Sequence, residues 1–522
     1  MKQKTILWVD DEIELLRSHV IFLTEKGYTV LTVTNGIDAL ETIQESEVDL
    51  VFLDEMMPGM GGLEVLGKIK DKDPNIPVVM ITKNEEESVM VDAIGSKIDD
   101  YLTKPVNPSQ VLLVCKKILE KKKISTEYVA KDYLQDFNQI SFLLMNQPDH
   151  QDWIEIYLKL VNWDIELDSH PQIGLRQTLN EQKKECNKEF GRYIEKNYKK
   201  WVQTKNKIDR PVLTVDIVND YVLPALKEDD TPVFFFVIDC LRYDQWLVME
   251  KLLTDDFKID KTFYYGILPT ATSYSRNALF AGLYPSEIEQ YYPDLWYGDD
   301  EDETSMNKYE KDLLQLQLER KKVHLKSDLK FVKVIDPEYG RNFEHNIKSY
   351  HNSHLSAVVI NFLDMIAHGR SDSDLLKEIA PDEPAYRSLT NSWFSHSYLI
   401  STFKAIASMG KAKVIITTDH GSIRALRGAK VLGDREASSN LRFKYGRNLK
   451  VDDKHAVFIK DPADYKLPRR GITVNYIIAK EDYYFVYPTD YHKYLSYYKD
   501  TFQHGGISLE EMIIPVITME PK

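Results

Sequence analysis

Short, almost unbroken apolar runs punctuate the first 120 residues: TILWV (5–9), VDLVFLD (48–54), IPVVMIT (76–82) and DYLTKP (100–105). Runs of this length without polar alternation read as strands covered on both faces, which is the habit of parallel sheets. Between them, 11–26 and 36–46 carry apolar residues at helical spacing, so residues 1–120 predict a doubly wound, flavodoxin-like α/β domain. Over 124–206 the strand pattern lapses. EYVAKDYLQDFNQISFLLM and TLNEQKKECNKEFGRYIEKNYKKWVQTK predict helices, hence a helical module or spacer over 121–206. Strands return in PVFFFVID (232–239), AVVINFLD (357–364), AKVIITTDH (412–420) and ISLEEMIIPVITM (507–519), predicting a second, larger α/β domain over 207–522.

Composition narrows the classes. With 43% hydrophobic and 29% charged residues the 522-residue chain predicts a soluble globular protein of about three domains. A net charge of −15 argues against broad adsorption to nucleic acid or membrane. Cys115, Cys186 and Cys240 are too scattered for a disulfide framework or a Cys-based zinc site. The apolar stretch after the N-terminal lysines is too short for a signal peptide, and VFFFVI is far below the roughly 20 residues a membrane helix needs. A cytoplasmic protein without membrane insertion is expected. The acidic run DDEDE (299–303) reads as a solvated loop.

Candidate chemistry gathers at strand ends. Asp10 and Asp11 follow the first strand and Asp54 ends VDLVFLD, at the edge where open parallel sheets bind ligands. Clustered carboxylates repel one another, and a hard dication with oxygen ligands, Mg²⁺, removes the conflict. Thr82 and Lys104 supply a hydroxyl and an ammonium suited to hold phosphoryl oxygens at Asp54. WVDDE, FLDEMMPGMGG, MIT and DYLTKP resemble the receiver domain of two-component response regulators. The resemblance implies phosphorylation of Asp54 by a sensor histidine kinase and Mg²⁺ on Asp10, Asp11, Asp54 and the Met56 carbonyl. It also implies a switch relayed by Thr82, Tyr101 and Lys104, with dimerisation on phosphorylation.

In the large domain, Asp239 ends VFFFVID, Asp364 ends AVVINFLD with His368 four residues on, Asp419 and His420 end a third strand, and His504 precedes two glycines. Asp419–His420 alone reads equally as a hydrogen-bonded pair. Three Asp and three His at matching strand ends suit two Zn²⁺ ions, whose charge exceeds that of the carboxylates and attracts an anionic phosphate. Thr270, Thr272, Ser273 and Ser275 open a predicted helix ending near Gly282, so each is either a nucleophile activated by metal or a helix cap.

VIDCLRYDQW, LPTATSYSRNALFAGLYP, DMIAH, TTDHG and HGGISLEEMIIP together resemble the PglZ branch of the alkaline phosphatase superfamily. The resemblance implies Thr272 as nucleophile, one zinc on Asp239, Asp419, His420 and Thr272, and the other on Asp364, His368 and His504. A receiver, a helical spacer and a PglZ-like domain in this order resemble the PorX-type response regulators, which implies a role in controlling type IX secretion and a downstream transcription regulator such as a sigma factor.

The expected activity is phosphodiester or phosphomonoester hydrolysis, with Arg242 and Arg276 as candidates for a substrate oxygen. Residues 424–450 hold eight cations (Arg424, Arg427, Lys430, Arg435, Arg442, Lys444, Arg447 and Lys450) with Phe443 and Tyr445 interleaved. That pattern suits nucleotides or short oligonucleotides, Arg442 and Lys444 being contact candidates, or else is a solvated loop. The alternative function is a phosphorylation-switched scaffold that binds a transcription or secretion partner, its metal site mainly structural.

Overall fold

The computed structural model describes all residues except 1–2, 74–75, 83–97, 120, 205, 229–230, 297–306, 435–437, 439, 472 and 490. The acidic run 299–303 and Arg435 therefore lie outside the described residues. The chain divides into two compact units, Met1–Leu134 and Gln135–Lys522, the division falling inside the helix Lys121–Met145.

In the first unit β1 (Thr5–Val9), β2 (Thr29–Val33), β3 (Leu50–Asp54), β4 (Val78–Thr82) and β5 (Asp100–Thr103) pair in parallel in the order β2-β1-β3-β4-β5. Alternate residues of β1 and β3 feed two cores. Ile6, Trp8 and Phe52 face one layer of helices, and Leu7, Val9 and Val51 face the other. The strand order reverses between β1 and β3, so their carboxyl ends flank a crevice. β2 is absent from the sequence-based expectation: its TVLTV is only half-buried at the sheet edge, and threonines break the apolar run. The first helix, expected over 11–26, is a 3-10 turn at Ile13–Leu16 followed by Arg17–Glu25.

In the second unit β6 (Val233–Ile238), β7 (Phe257–Tyr265), β8 (Lys330–Val334), β9 (Leu355–Ile360), β10 (Lys413–Thr417) and β11 (Ile513–Pro521) form one sheet in the order β7-β11-β10-β6-β9-β8. The four strands β10-β6-β9-β8 are parallel, and β11 runs antiparallel to both its neighbours. β6 is buried throughout. Phe236 lies 5.0 Å from the Phe403 ring on one face, and Phe235 lies 6.0 Å from Phe280 on the other. Such two-sided cover is why VFFFVI lacks polar alternation.

The helices His150–Ser169 and Arg176–Gln203, which lie inside the expected helical module, pack as part of this unit. Burial explains it: Trp153, Phe190, Ile194 and Tyr198 are sunk beneath the surface, and Phe190 stacks 6.3 Å from Tyr265 of β7. The strand expected to run to Asp364 stops at Ile360, and Asp364 sits in the first turn of the helix Phe362–Asp372. Outside the main sheet, Ile423–Ala425 pairs with Thr501–Gln503, Ile423 opposite Gln503, which delivers His504 beside the turn that follows β10.

Truncating Phe236 to Ala removes a fully buried ring from the central parallel strand. A loss of about 3–5 kcal/mol is expected in urea unfolding of this unit. A change below about 1 kcal/mol would contradict the packing described.

Candidate active site

In the first unit the ligand atoms of Asp10, Asp11 and Asp54 lie within 4.8 Å of one another. Lys104 Nζ reaches Asp10 Oδ2 at 2.9 Å and Asp54 Oδ1 at 2.8 Å, so one ammonium bridges two buried carboxylates. Burial raises the Asp54 pKa, with Lys104 only partly offsetting it. Gly62 allows the following helix to seat on this site, because a Cβ there would come 2.2 Å from the Asp54 carbonyl oxygen. Thr82 is buried at the end of β4, Tyr101 is half-exposed on β5, and Met56 is exposed beyond β3.

In the second unit two clusters form at the carboxyl edge of the parallel strands. Asp239, Asp419 and His420 make one, and Asp364, His368 and His504 the other. They adjoin: the His420 and His504 rings stack at 4.1 Å. Asp364 and His368 are successive-turn residues of one helix, so both face the site. The His420 Nδ1 lies 3.1 Å from the Gly421 carbonyl and the His504 Nδ1 3.3 Å from the Thr270 carbonyl. A carbonyl only accepts, so each Nδ1 carries the proton and each Nε2 presents a lone pair to the site. Desolvation lowers the His420 pKa to about 4, which keeps that ring neutral.

Thr272 is the first residue of the helix Thr272–Ala281, after Ala271 in the cap position, and its Oγ1 stands 2.9 Å from His420 Nε2. The cap reading does not describe it, since Ala271 holds the cap position and Thr272 is already helical. Thr270 and Ser275 are turned to backbone carbonyls, Thr270 Oγ1 donating to Gly506 at 2.8 Å. The Asp419–His420 pair is no hydrogen bond between side chains, because Asp419 Oδ2 lies 3.8 Å from His420 Nε2.

The donor set fits metal ions. Asp239 Oδ1 is buried without a hydrogen-bond partner, and His368 Nε2 and His504 Nε2 face each other at 2.9 Å, an approach that needs a shared proton or a cation. Burial above all raises the Asp239 pKa, with Asp419 adding to it and Arg276 opposing it. Burial alone would raise Asp364 too, but the hydrogen bond with His368 foremost holds it below the usual range.

The candidate substrate contacts are placed otherwise than the sequence suggests. Arg276 is fully buried: its Nη2 pairs with Asp239, its Nε donates to Asp419 at 2.9 Å, and Nη1 lies 3.4 Å from Glu310. Arg242 is buried on Asp244 and Glu383, and Arg442 on Glu511 at 2.5 Å. Lys444 is buried, donating to the Ser438 carbonyl at 2.9 Å. Arg424 and Arg427 are engaged as well, Arg424 with Asp500 and Arg427 with Glu481 and Asp482. These acids are 54–76 positions away, out of reach of any local reading. Glu310 gave no signal either, lying in an ordinary charged helix.

A receiver sheet with its acidic crevice, and a mainly parallel sheet carrying two Asp/His clusters beside a threonine, define a response regulator with a phosphoesterase-like output. Comparison with known families agrees. Residues 6–116 match the response regulator receiver domain, 123–202 the PorX response regulator linker domain, and 217–519 the BREX system PglZ alkaline phosphatase-like domain. The chain belongs to the PglZ alkaline phosphatase-like family, in the PorX-type arrangement of receiver, linker and PglZ domain.

Among curated relatives it is similar to the transcriptional regulatory protein ResD of Bacillus subtilis, 32% identical over 28% of this chain and 60% of ResD. It is also similar to the regulatory protein VanR of Enterococcus faecium, 38% identical over 20% of this chain and 46% of VanR. The chain thus spans about half the length of these relatives. Among solved structures, the receiver domain of NtrX from Brucella abortus is 33% identical, covering 22% of this chain and 98% of that one at a TM-score of 0.21.

Lys444 yields a pH prediction. Burial depresses its pKa from 10.5 to about 7, so between those values the unfolded chain binds a proton that the folded chain lacks. Stability therefore rises with pH across that window and is lowest below it. Lys444→Met is expected to raise the melting temperature at pH 7, with the advantage fading by about pH 10. Equal melting curves at pH 7 would contradict the burial.

Proposed function

We propose that the chain is a phosphorylation-controlled phosphodiesterase. Asp54 accepts a phosphoryl group from a sensor histidine kinase, with Mg²⁺ held by Asp10, Asp11, Asp54 and the Met56 carbonyl, and Lys104 and Thr82 placed for the phosphoryl oxygens. In the PglZ domain, Asp239, Asp419, His420 and Thr272 would hold one zinc ion, and Asp364, His368 and His504 a second. Bound there, zinc acidifies a hydroxyl and offsets charge on phosphate oxygens. The observation that carries the reading is the Thr272 hydroxyl, 2.9 Å from the lone pair of His420 at a helix N-terminus, between two Asp/His clusters.

The chain's own groups supply the rest. The Thr272 oxygen attacks phosphorus and loses its proton, the P–O bond to the leaving alcohol breaks, and the alcohol departs protonated. Water then cleaves the phosphothreonine, restoring the hydroxyl and releasing a phosphomonoester. Counted over the ligand set itself, two dications would exceed the three carboxylates Asp239, Asp364 and Asp419 by one unit. That matches the single charge of a diester better than the double charge of a monoester. Arg276, engaged with Asp239, Asp419 and Glu310, is not available to a third phosphate oxygen. Nucleotides and short oligonucleotides remain candidate diesters on this chemistry alone, since Arg424, Arg427 and Arg442 of the strip that suggested them are paired internally. Dimerisation on phosphorylation and an output in type IX secretion through a transcription regulator complete the proposal.

Turnover of bis(p-nitrophenyl) phosphate with added Zn²⁺ should exceed that of p-nitrophenyl phosphate and fall by at least about 10³-fold in Thr272→Ala. Unchanged turnover in the variant would sink the nucleophile assignment and favour a scaffold. Light scattering after treatment with a beryllofluoride phosphoryl analogue is expected to show a doubled mass, abolished in Asp54→Ala, whereas a constant mass would refute the dimer.

A further inference from the structure

The helix Arg176–Gln203 places polar side chains among the apolar ones on its buried face. Lys183, Asn187, Gly191 and Tyr198 share that face by helical spacing. Asn187 is buried with both ends of its amide engaged: Oδ1 accepts from Leu509 N at 2.8 Å and Nδ2 donates to Glu510 at 3.0 Å. Tyr198 OH accepts from Leu268 N at 2.8 Å, four residues before Thr272.

The segment that Asn187 grips backs both clusters. A Cβ on Gly421 would lie 1.9 Å from the Glu510 carbonyl oxygen, and Gly421 N donates to the Glu511 carbonyl at 3.3 Å, which fixes the Asp419–His420 turn. The Glu511 carboxylate accepts from Gly506 N at 2.8 Å, which fixes the loop of His504. The segment that Tyr198 holds includes Thr270, whose Oγ1 donates to the Gly506 carbonyl and accepts from Gly505 N at 3.2 Å. Two side chains of one helix thus hold the two segments that in turn bond the His420 turn, the His504 loop and the Thr272 loop.

Building on the metal-site reading above, we infer that Asn187 and Tyr198 are positioning residues, and that the linker helix is a working wall of the phosphoesterase site. Asn187 sets the spacing of the His420 and His504 turns, hence metal affinity. Tyr198 sets the approach of the Thr272 loop, hence turnover. Burial makes both bonds consequential, because a truncated side chain leaves a backbone N–H without a partner where water does not reach.

The test uses the full chain. Zn²⁺ affinity is measured by competition with a chromophoric chelator, and kcat and KM on bis(p-nitrophenyl) phosphate at saturating Zn²⁺. Asn187→Ala is expected to weaken Zn²⁺ binding about tenfold or more. Tyr198→Phe keeps its ring packing and is expected to lose about tenfold in kcat, with KM and Zn²⁺ affinity unchanged. A merely structural role would lower the melting temperature of each variant while leaving the affinity of the folded protein and its kcat intact, and that result overturns the inference. If Asn187→Ala fails to fold, kcat of Tyr198→Phe decides, a wild-type value overturning it. Absence of Zn²⁺ uptake by the wild-type chain would instead sink the metal reading, and this inference with it.

Discussion

Repulsion among buried carboxylates is the constraint around which this molecule is arranged. Asp239, Asp419 and Glu310 lie out of water within reach of a single guanidinium, that of Arg276. Breaking such a group by removing its cation is costly, because the uncompensated charge stays buried. The receiver repeats the arrangement in smaller form, with Lys104 between Asp10 and Asp54. Each site gathers its acids around a shared internal cation, with Lys333 a second one at Glu310, and still holds more carboxylates than cations, the condition under which added dications bind.

That constraint accounts for the backbone around it. Ligands sit at strand ends because a parallel sheet splays its loops there, leaving room for side chains from several strands to converge. The turns must also approach one another closely. Gly421 faces the Glu510 carbonyl, and Gly506 faces the Arg442 guanidinium 2.3 Å from where a Cβ would stand. Gly505 adopts a left-handed φ of 111°, which a side chain would resist. The glycines therefore serve packing between loops. Gly421 thereby admits the segment that supports the Asp419–His420 turn.

Strand ends were legible in the sequence because β6 and β10 are covered on both faces, and such strands write their limits as an apolar run followed by a polar residue. Asp364 lies in a helix and not in the strand expected to run to it: Phe362 and Leu363 continue the apolar look of β9 while the backbone has already turned helical. The cations were misread for a different reason. Arg442 sits 69 residues from Glu511, and Arg276 is 143 from Asp419, so only the folded chain reveals that these charges are internal. The linker helix hid its role similarly. Asn187 looks like any surface polar residue until its partner at 510, more than 300 positions on, is seen.

The central claim is that the two Asp/His clusters are a pair of zinc sites held by different residues. Metal content of the purified full chain, measured by plasma mass spectrometry after dialysis against metal-free buffer, tests it most directly. The account predicts about two zinc ions per chain in the wild type and about one in His368→Ala, whose substitution leaves Asp239, Asp419 and His420 untouched. A wild-type chain that retains no zinc, or a His368→Ala chain that retains as much as the wild type, would contradict it.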